Sequence, residues 1–215
     1  MSRGTPPPGI IVLAGPNGAG KSSIAGAALR QTGAEYFNPD EATQRIRERH
    51  PDLTLAEANS RAWRMGRRLL TRAIDERRPF AFETTLGGRT MTGLLMRAAN
   101  VGMAVRVWYV GLASADLHVE RVRERAARGG HDIDEARLRE RYDSSRRNLI
   151  ALLPYLAELK LVDNSIHGDP AVGERPQPML VLHLKAGRIV DSCAVRDVPD
   201  WAKPVVQAVI GRFGR

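Results

Sequence analysis

Eight residues near the start of the chain have the types and the spacing of a phosphate-binding loop. Residues 15–22 read Gly-Pro-Asn-Gly-Ala-Gly-Lys-Ser and fit the pattern G-x-x-x-x-G-K-[ST] at every required position. Glycines let the backbone curl so that successive N–H groups point at phosphate oxygens. We expect Lys21 to bridge the β- and γ-phosphates and the Ser22 hydroxyl to ligate Mg²⁺. The predicted nucleotide-binding residues are Gly15, Pro16, Asn17, Gly18, Ala19, Gly20, Lys21, Ser22 and Ser23.

The motifs that would assign this loop to other nucleotide-binding classes are missing from the sequence. It contains no Leu-Ser-Gly-Gly-Gln signature of transporter ATPases and no guanine-reading Asn-Lys-x-Asp. A strand ending in Asp-Glu, typical of motor ATPases, is also absent. Small P-loop kinases remain, in which a carboxylate faces the acceptor hydroxyl and an arginine-bearing lid completes the site.

Acidic residues lie at the ends of three predicted strands, where the ligand edge of a parallel sheet lies. Asp40 follows Asn-Pro and is interpreted either as a helix N-cap or as a general base for an acceptor hydroxyl. Glu83 ends an apolar strand, and we expect it to contact substrate or magnesium-bound water, with Thr85 on the same face. Asp163 ends a later strand and is open to two interpretations, a second magnesium-sphere acid or a strand-end cap.

Arginines are spaced along two predicted helices so that each group shares one helical face. Arg121, Arg125 and Arg128 recur at i, i+4 and i+7, and Arg137 and Arg141 do the same on the next helix. Most of them are interpreted as surface ion-pair partners of nearby glutamates. Two such helices joined through Gly-Gly-His-Asp nevertheless predict a hinged lid over residues 115–150, and there arginines would neutralise charge on a transferring phosphoryl group. His131 is interpreted as a residue of this lid turn.

Alternation of strands and helices positions these groups and predicts an α/β fold with a parallel sheet covered by helices on both faces. We predict a disordered leader over 1–9 and a single P-loop kinase-type domain over 10–215, with a C-terminal hairpin and short helix over 178–212. Cys193 is expected in a strand, as a core residue rather than a reactive one. Predicted strands cover 10–14, 36–37, 79–83, 105–110 and 159–162; predicted helices cover 21–30, 54–77, 90–100, 115–128 and 134–150.

The amino-acid composition limits the classes of protein to which this chain can belong. The 215 residues are 43% hydrophobic with a formal net charge of +9, and no apolar run has the length of a membrane helix. A single cysteine and no signal peptide suit a cytoplasmic protein. The positive charge is spread along the chain, so nucleic-acid binding is allowed but not specifically indicated. A nucleic-acid-associated ATPase or nucleotide-binding switch therefore stays open as an alternative.

With these pieces in place, the sequence resembles the zeta-toxin family of P-loop kinases, and in particular its short chromosomal branch. The similarity covers about residues 10–165. The motifs that carry it are Ala14-Gly-Pro-Asn-Gly-Ala-Gly-Lys-Ser-Ser23, Asn38-Pro-Asp-Glu41, Phe82-Glu-Thr-Thr-Leu86, Tyr109-Val-Gly-Leu112, Arg121-Val-Arg-Glu-Arg125, Arg128-Gly-Gly-His-Asp-Ile133 and Arg141-Tyr142.

The resemblance implies ATP- and Mg²⁺-dependent phosphorylation of a hydroxyl of a nucleotide-activated amino sugar, chiefly UDP-N-acetylglucosamine. It also implies an antitoxin protein, expected to act in trans because only nine residues precede the first strand. A kinase for another small-molecule acceptor remains the alternative. By motif, the implied catalytic residues are Asp40 as the base, Lys21, Arg128 and Arg141, and the implied substrate-binding residues are Glu83, Thr85 and Arg89.

Overall fold

In the computed structural model, the described residues are 8–26, 35–128, 133–166 and 178–214. Their strands form one seven-stranded sheet in the order β2–β3–β1–β4–β5–β6–β7, in which the first five strands are parallel and the last two antiparallel. The predicted fold class is therefore confirmed. The strands are β1 (Gly9–Ala14), β2 (Glu35–Phe37), β3 (Phe80–Thr84), β4 (Ala104–Gly111), β5 (Glu158–Asp163), β6 (Met179–Lys185) and β7 (Arg188–Ser192).

Helices connect the strands and cover the sheet. A short π-helical segment, Ser22–Gly26, follows the phosphate loop, where the sequence predicted a regular helix over 21–30; the remainder of that range, and residues 1–7 of the predicted leader, lie outside the described residues. His131 also lies outside them. The α-helices are α1 (Pro39–Arg49), α2 (Leu55–Asp75), α3 (Arg89–Asn100), α4 (Ala115–Ala127), α5 (Glu135–Leu152) and α6 (Lys203–Phe213).

Alternating residues of the central strand β1 serve two separate cores. Ile10 and Val12 face the larger cluster, which helices α2, α3, α5 and α6 complete, whereas Leu13 faces a smaller cluster on the other side of the sheet. Both sets are fully buried. A strand that is apolar on both faces belongs in the middle of a parallel sheet, as the sequence predicted.

Strand register brings the chemical groups to one edge. Ala14 at the end of β1 pairs with Thr84 at the end of β3, and Phe37 at the end of β2 pairs with Phe82. The phosphate loop after β1 and the acids after β2 and β3 therefore leave the sheet side by side. This is the carboxyl edge of the parallel strands, where ligands bind in such folds.

The C-terminal part extends the sheet and closes one end of the core. The predicted hairpin is confirmed as β6 and β7, joined by a two-residue turn in which Ala186 and Gly187 both have positive φ. Trp201 is buried, stacks on Tyr109, and donates its indole N–H to Asp163 at 2.7 Å. The placement of Cys193 in a strand is wrong, because β7 ends at Ser192; Cys193 is half-buried beside the main core.

Among the described helices, none combines the length and the apolar character that a membrane-spanning segment needs.

Candidate functional site

The phosphate loop, defined as residues 15–22, curls around its own lysine. Gly18 and Gly20 both have φ near +80°, a left-handed conformation that other residues rarely adopt. Lys21 Nζ donates to the carbonyl oxygens of Gly15 at 2.9 Å and Pro16 at 3.1 Å. Burial lowers the pKa of Lys21, and the neighbouring carboxylates of Glu83 and Asp40 oppose that shift. A lysine held in this way is positioned for an anion inside the loop.

Glu83 is the buried acid of the site and accepts three hydrogen bonds. Ser22 Oγ donates to Glu83 Oε2 at 2.9 Å, and Asn38 Nδ2 donates to Oε1 at 3.2 Å. The Tyr36 hydroxyl also donates to Oε1. Because the donors come from the phosphate loop, β2 and the start of α1, Glu83 links these three segments to the end of β3.

Ser22 and Glu83 together fit a magnesium ion bound with nucleotide. Both offer oxygen ligands, and their side chains already lie within hydrogen-bonding distance of each other. The described residues contain no group of three or more His, Cys, Asp and Glu side chains that could hold a metal. Magnesium needs no such cage, since it takes one or two protein oxygens and completes its shell with water and phosphate.

Asp40 lies beside the phosphate loop, in the first turn of α1, but it does not cap that helix. The cap is Asn38, whose Oδ1 accepts from the N–H groups of Asp40 at 2.9 Å and Glu41 at 3.3 Å, so the capping interpretation of Asp40 is wrong. Pro39 supplies the first helical position and has no N–H to satisfy. The Asp40 side chain is 61% exposed, and its Oδ2 lies 3.5 Å from Arg125 Nη1.

Two adjoining cavities meet at Asp40. The first, of about 290 Å³, contains Lys21 and Ser22; the second, of about 640 Å³, extends from there between α1, α2 and α5. Asp40, Glu83, Thr85 and Arg125 line both cavities. Of the predicted nucleotide-binding residues, the first cavity is lined by Asn17, Gly18, Gly20, Lys21, Ser22 and Ser23.

The second cavity has an aromatic wall and a basic wall. Trp63 on α2 lines it while remaining 43% exposed, and Phe37 and Met91 lie deeper. Arg137 and Arg141 of α5 also line this cavity. It therefore offers an aromatic face for a ring system and cations for an anionic group.

A strained turn after β3 directs Thr85 into the site. Leu86 is fully buried with φ +54°, an uncommon conformation for a residue with a branched side chain. Its N–H binds Thr84 Oγ1 at 3.0 Å and its carbonyl accepts from Asn148 Nδ2 at 2.8 Å, so both ends of the turn are held. Backbone strain of this kind persists where the surroundings enforce it, often at functional sites.

The described arginines of the lid, which comprises α4 and α5, differ in how they meet the site. Arg141 Nη1 donates to Asn17 Oδ1 at 2.8 Å, which ties α5 to the phosphate loop, and Arg121 and Arg125 line the first cavity. Arg128 is exposed at the end of α4, and Arg89 is exposed at the start of α3. In the described part of the chain, neither of these two lines either cavity.

Several contacts within the site carry no signal in the sequence. Tyr36 and Asn38 reach Glu83 only because β2 lies next to β3, and strand order is not readable from spacing. Trp63 lies within a long predicted helix, and nothing in the sequence pattern distinguishes it as a residue of a cavity. Asp163, for which a magnesium role was open, accepts from Trp201 and from Ser165 Oγ at 2.6 Å, consistent with a strand-end cap.

The amino-acid sequence matches a family model and one curated relative. A family model described as AAA domain matches residues 10–147, more than half of the chain. An uncharacterized protein of Haemophilus influenzae is 28% identical over 133 residues, which cover 61% of this chain and 91% of that protein.

Solved structures similar to this chain agree on the fold. One is the AvrRxo1-ORF1:-ORF2 complex with ATP, with a TM-score of 0.65, 14% identity and 95% of this chain covered; the chain spans 64% of that protein's length. Another belongs to the PezAT chromosomal toxin–antitoxin system of Streptococcus pneumoniae, with a TM-score of 0.57, 16% identity, and 100% of this chain and 90% of that one covered. The molecule thus has a P-loop kinase-like nucleotide-binding fold.

Proposed function

This chain belongs to the AAA domain family of P-loop proteins, and we propose that it is a kinase for a nucleotide-activated amino sugar. The donor is ATP with Mg²⁺, and the acceptor is a sugar hydroxyl of a UDP-N-acetylglucosamine-like molecule. The observation that carries the proposal is the position of Asp40, an exposed carboxylate that lines both the phosphate-loop cavity and the larger cavity next to it.

In the proposed reaction, the acceptor hydroxyl lies between Asp40 and the γ-phosphoryl group. Asp40 accepts the hydroxyl proton while the acceptor oxygen forms its bond to phosphorus. The bond between phosphorus and the β–γ bridging oxygen breaks, and its electron pair leaves with ADP. Atoms and charge balance, because the proton ends on the carboxylate and the phosphoryl group on the acceptor.

Cationic side chains stabilise the charge that spreads over the transferring group. Lys21 exchanges the carbonyls of Gly15 and Pro16 for phosphate oxygens, and Arg125 and Arg141 approach from the lid. Ser22 and Glu83 would hold Mg²⁺, whose bound charge neutralises the β- and γ-phosphates. Arg128 and Arg89, assigned by resemblance, keep their proposed catalytic and substrate-binding roles as predictions.

The larger cavity supports the nucleotide-sugar acceptor. Its volume of about 640 Å³ lies within the range of sites for molecules of that size. Trp63 offers a face for a planar base, and Arg137 with Arg141 offers cations for a diphosphate. Glu83 and Thr85 lie at the junction of the cavities, where the reacting sugar would sit.

The test is phosphorylation of defined acceptors. Purified protein is incubated with ATP, Mg²⁺ and either UDP-N-acetylglucosamine, other nucleotide sugars, nucleosides or free sugars, and products are measured by mass spectrometry for a gain of one phosphoryl group. We expect the gain on UDP-N-acetylglucosamine, and we expect it to disappear in Asp40→Ala while ATP binding persists. If only a nucleoside or a free sugar is phosphorylated, the nucleotide-sugar acceptor is wrong and the alternative, a kinase for another small molecule, is supported.

An inhibitor protein acting in trans also remains a prediction of the resemblance. The solved PezAT system is a toxin–antitoxin system, and that property belongs to the pneumococcal protein. Expression of this chain in a bacterial host, compared with Asp40→Ala, tests whether the proposed activity slows growth and therefore calls for such an inhibitor.

A further inference from the structure

A histidine of the lid holds the phosphate loop at its turn. His118 on α4 is 1% exposed, and its Nδ1 lies 2.7 Å from the carbonyl oxygen of Asn17. A carbonyl oxygen only accepts, so the Nδ1–H donates this bond and Nε2 carries the lone pair. Within the described ranges, that buried Nε2 has no hydrogen-bond partner.

An asparagine holds the same loop from the other side. Asn164 directly follows β5, is 7% exposed, and donates from Nδ2 to the carbonyl oxygen of Ala19 at 3.0 Å. Its Oδ1 is the second buried side-chain atom without a hydrogen-bond partner among the described residues. Buried polar atoms are normally paired. Both side chains thus bind a loop carbonyl at one end and leave the other end unpaired.

The geometry of the peptide bond explains what these two contacts achieve. In a trans peptide the C=O of one residue and the N–H of the next point in opposite directions. Fixing the carbonyl of Asn17 therefore fixes the N–H of Gly18, and fixing the carbonyl of Ala19 fixes the N–H of Gly20. Bonding each carbonyl to its partner therefore directs each N–H away from that partner, and converging N–H groups are what such a loop uses to bind phosphate.

Close packing makes both arrangements specific to glycine. A Cβ on Gly18 would lie 2.8 Å from the carbonyl oxygen of His118, and a Cβ on Gly20 would lie 2.6 Å from Asn164 Nδ2. The partners therefore lie directly against the two left-handed residues of the loop, rather than at a distance that a water could bridge.

We propose that His118 and Asn164 are positioning residues that preset the peptides Asn17–Gly18 and Ala19–Gly20 for phosphate binding. This inference rests on the nucleotide-binding part of the proposed function and does not depend on the acceptor. Donors that are already in position bind tightly because the loop loses little conformational entropy when the phosphate binds.

The ring of His118 performs this role without adding charge. Burial is the main cause that lowers its pKa to about 4; the bond to the Asn17 carbonyl opposes the shift, and the nearby charges of Lys21, Arg121 and Arg146 contribute to it. Tyr142 faces the ring edge-on, with centroids 5.5 Å apart. At neutral pH the imidazole is a neutral donor, so its contribution to phosphate binding comes from the orientation of the loop.

The experiment measures binding of Mg·ATP and of inorganic tripolyphosphate, which engages the phosphate loop alone, by calorimetry at a temperature where every variant is folded. His118→Phe keeps the ring but removes the donor, and we expect both ligands to bind about tenfold more weakly, the factor for one hydrogen bond. His118→Asn places an amide nitrogen where Nδ1 stood, and we expect affinity within about threefold of the wild type. Asn164→Leu, on a different segment, should reproduce the loss.

Each outcome decides the proposal. If His118→Phe and Asn164→Leu lower the unfolding temperature but bind both ligands as the wild type does, the role is only structural and the proposal is wrong. If His118→Asn binds as weakly as His118→Phe, the donor is not the relevant group. If His118→Phe does not fold, Asn164→Leu carries the test. If the wild type binds Mg·ATP and tripolyphosphate but phosphorylates no acceptor, the proposed kinase function is wrong and the role of His118 and Asn164 stands. If it binds neither ligand, the proposed function and this inference are both wrong.

Discussion

Replacement of Asp40 by asparagine separates catalysis from everything else that this residue does. Asn keeps the size of the side chain and removes the carboxylate that we propose as the base. A positioned general base contributes about 10²- to 10⁴-fold to rate, which corresponds to about 3 to 5 kcal/mol in the activation barrier. We therefore expect kcat to fall by that factor in Asp40→Asn, with the KM for ATP changed by less than about threefold.

The effect of Asp40→Asn on stability should be much smaller. The carboxylate is 61% exposed and its pair with Arg125 is open to solvent, so loss of the pair costs at most about 1 kcal/mol. Loss of a negative charge from the first turn of α1 costs up to about 1 kcal/mol more. Because native domains are stable by about 5–15 kcal/mol, losses of this size leave nearly all of the protein folded, so a rate loss of 10²-fold or more cannot be ascribed to unfolding.

Glu41→Gln is the matched control for Asp40→Asn. Glu41 is the next residue of the same helical turn, has a side chain that is 41% exposed, and pairs with Arg45 at 3.3 Å as Asp40 pairs with Arg125 at 3.5 Å. Both substitutions remove one charge from the same end of α1. The assay is initial-rate phosphate transfer to the acceptor, together with calorimetric binding of Mg·ATP and chemical denaturation. Equal rates for the two variants would refute the assignment of Asp40 as base.

Three further predictions test other parts of the site. Arg141→Lys should lower kcat more than about tenfold because a point charge cannot replace the guanidinium that contacts Asn17, whereas Arg139→Lys, on the same helix but paired with Asp116 and Glu135, should retain wild-type rates. Trp63→Ala should raise the KM for the nucleotide sugar about tenfold and leave the KM for ATP unchanged, and Trp63→Phe should recover most of the loss, as steady-state kinetics with each substrate varied will show. Between pH 7 and pH 4, the free energy of unfolding of the wild type should fall about 3 kcal/mol more than that of His118→Asn, because the unfolded ring takes up a proton near pH 6.5 while the folded ring has its pKa lowered to about 4; denaturation across this pH range, with the exposed His50→Asn as control, measures the difference.

Features that depend on neighbouring residues in the chain could be predicted from the sequence. The phosphate loop is a local motif, and the capping box of α2, in which Thr54 and Glu57 bind each other, follows from a spacing of three residues. The buried strands β1 and β3 follow from apolar runs of strand length. In each case a few adjacent side chains determine the backbone, so no knowledge of the tertiary fold is required.

Features that depend on strand order and helix phase could not be predicted. Tyr36 meets Glu83 only because β2 pairs with β3, a non-local contact with no signature in spacing. Helical spacing grouped Arg125 with Arg128 on one face, yet the first faces the cavity while the second lies exposed where α4 ends. Which members of such a face reach the site depends on where the helix ends and how it packs, and periodicity alone gives neither.

The segment Asn38-Pro39-Asp40 shows why one of the two interpretations of Asp40, the helix cap, is wrong. Either side chain is chemically able to cap a helix, and the cap falls to Asn38 because Pro39 supplies the first helical position, which needs no N–H partner. Asn38 also donates to the buried Glu83, so this one residue both caps α1 and binds the neighbouring strand β3. Asp40 is thereby left with an exposed carboxylate at the junction of the two cavities, held only by an exposed ion pair with Arg125 among the contacts described. A carboxylate that the helix does not need for its cap, next to the lysine of a phosphate loop, is free to act as the base that we propose for a bound hydroxyl.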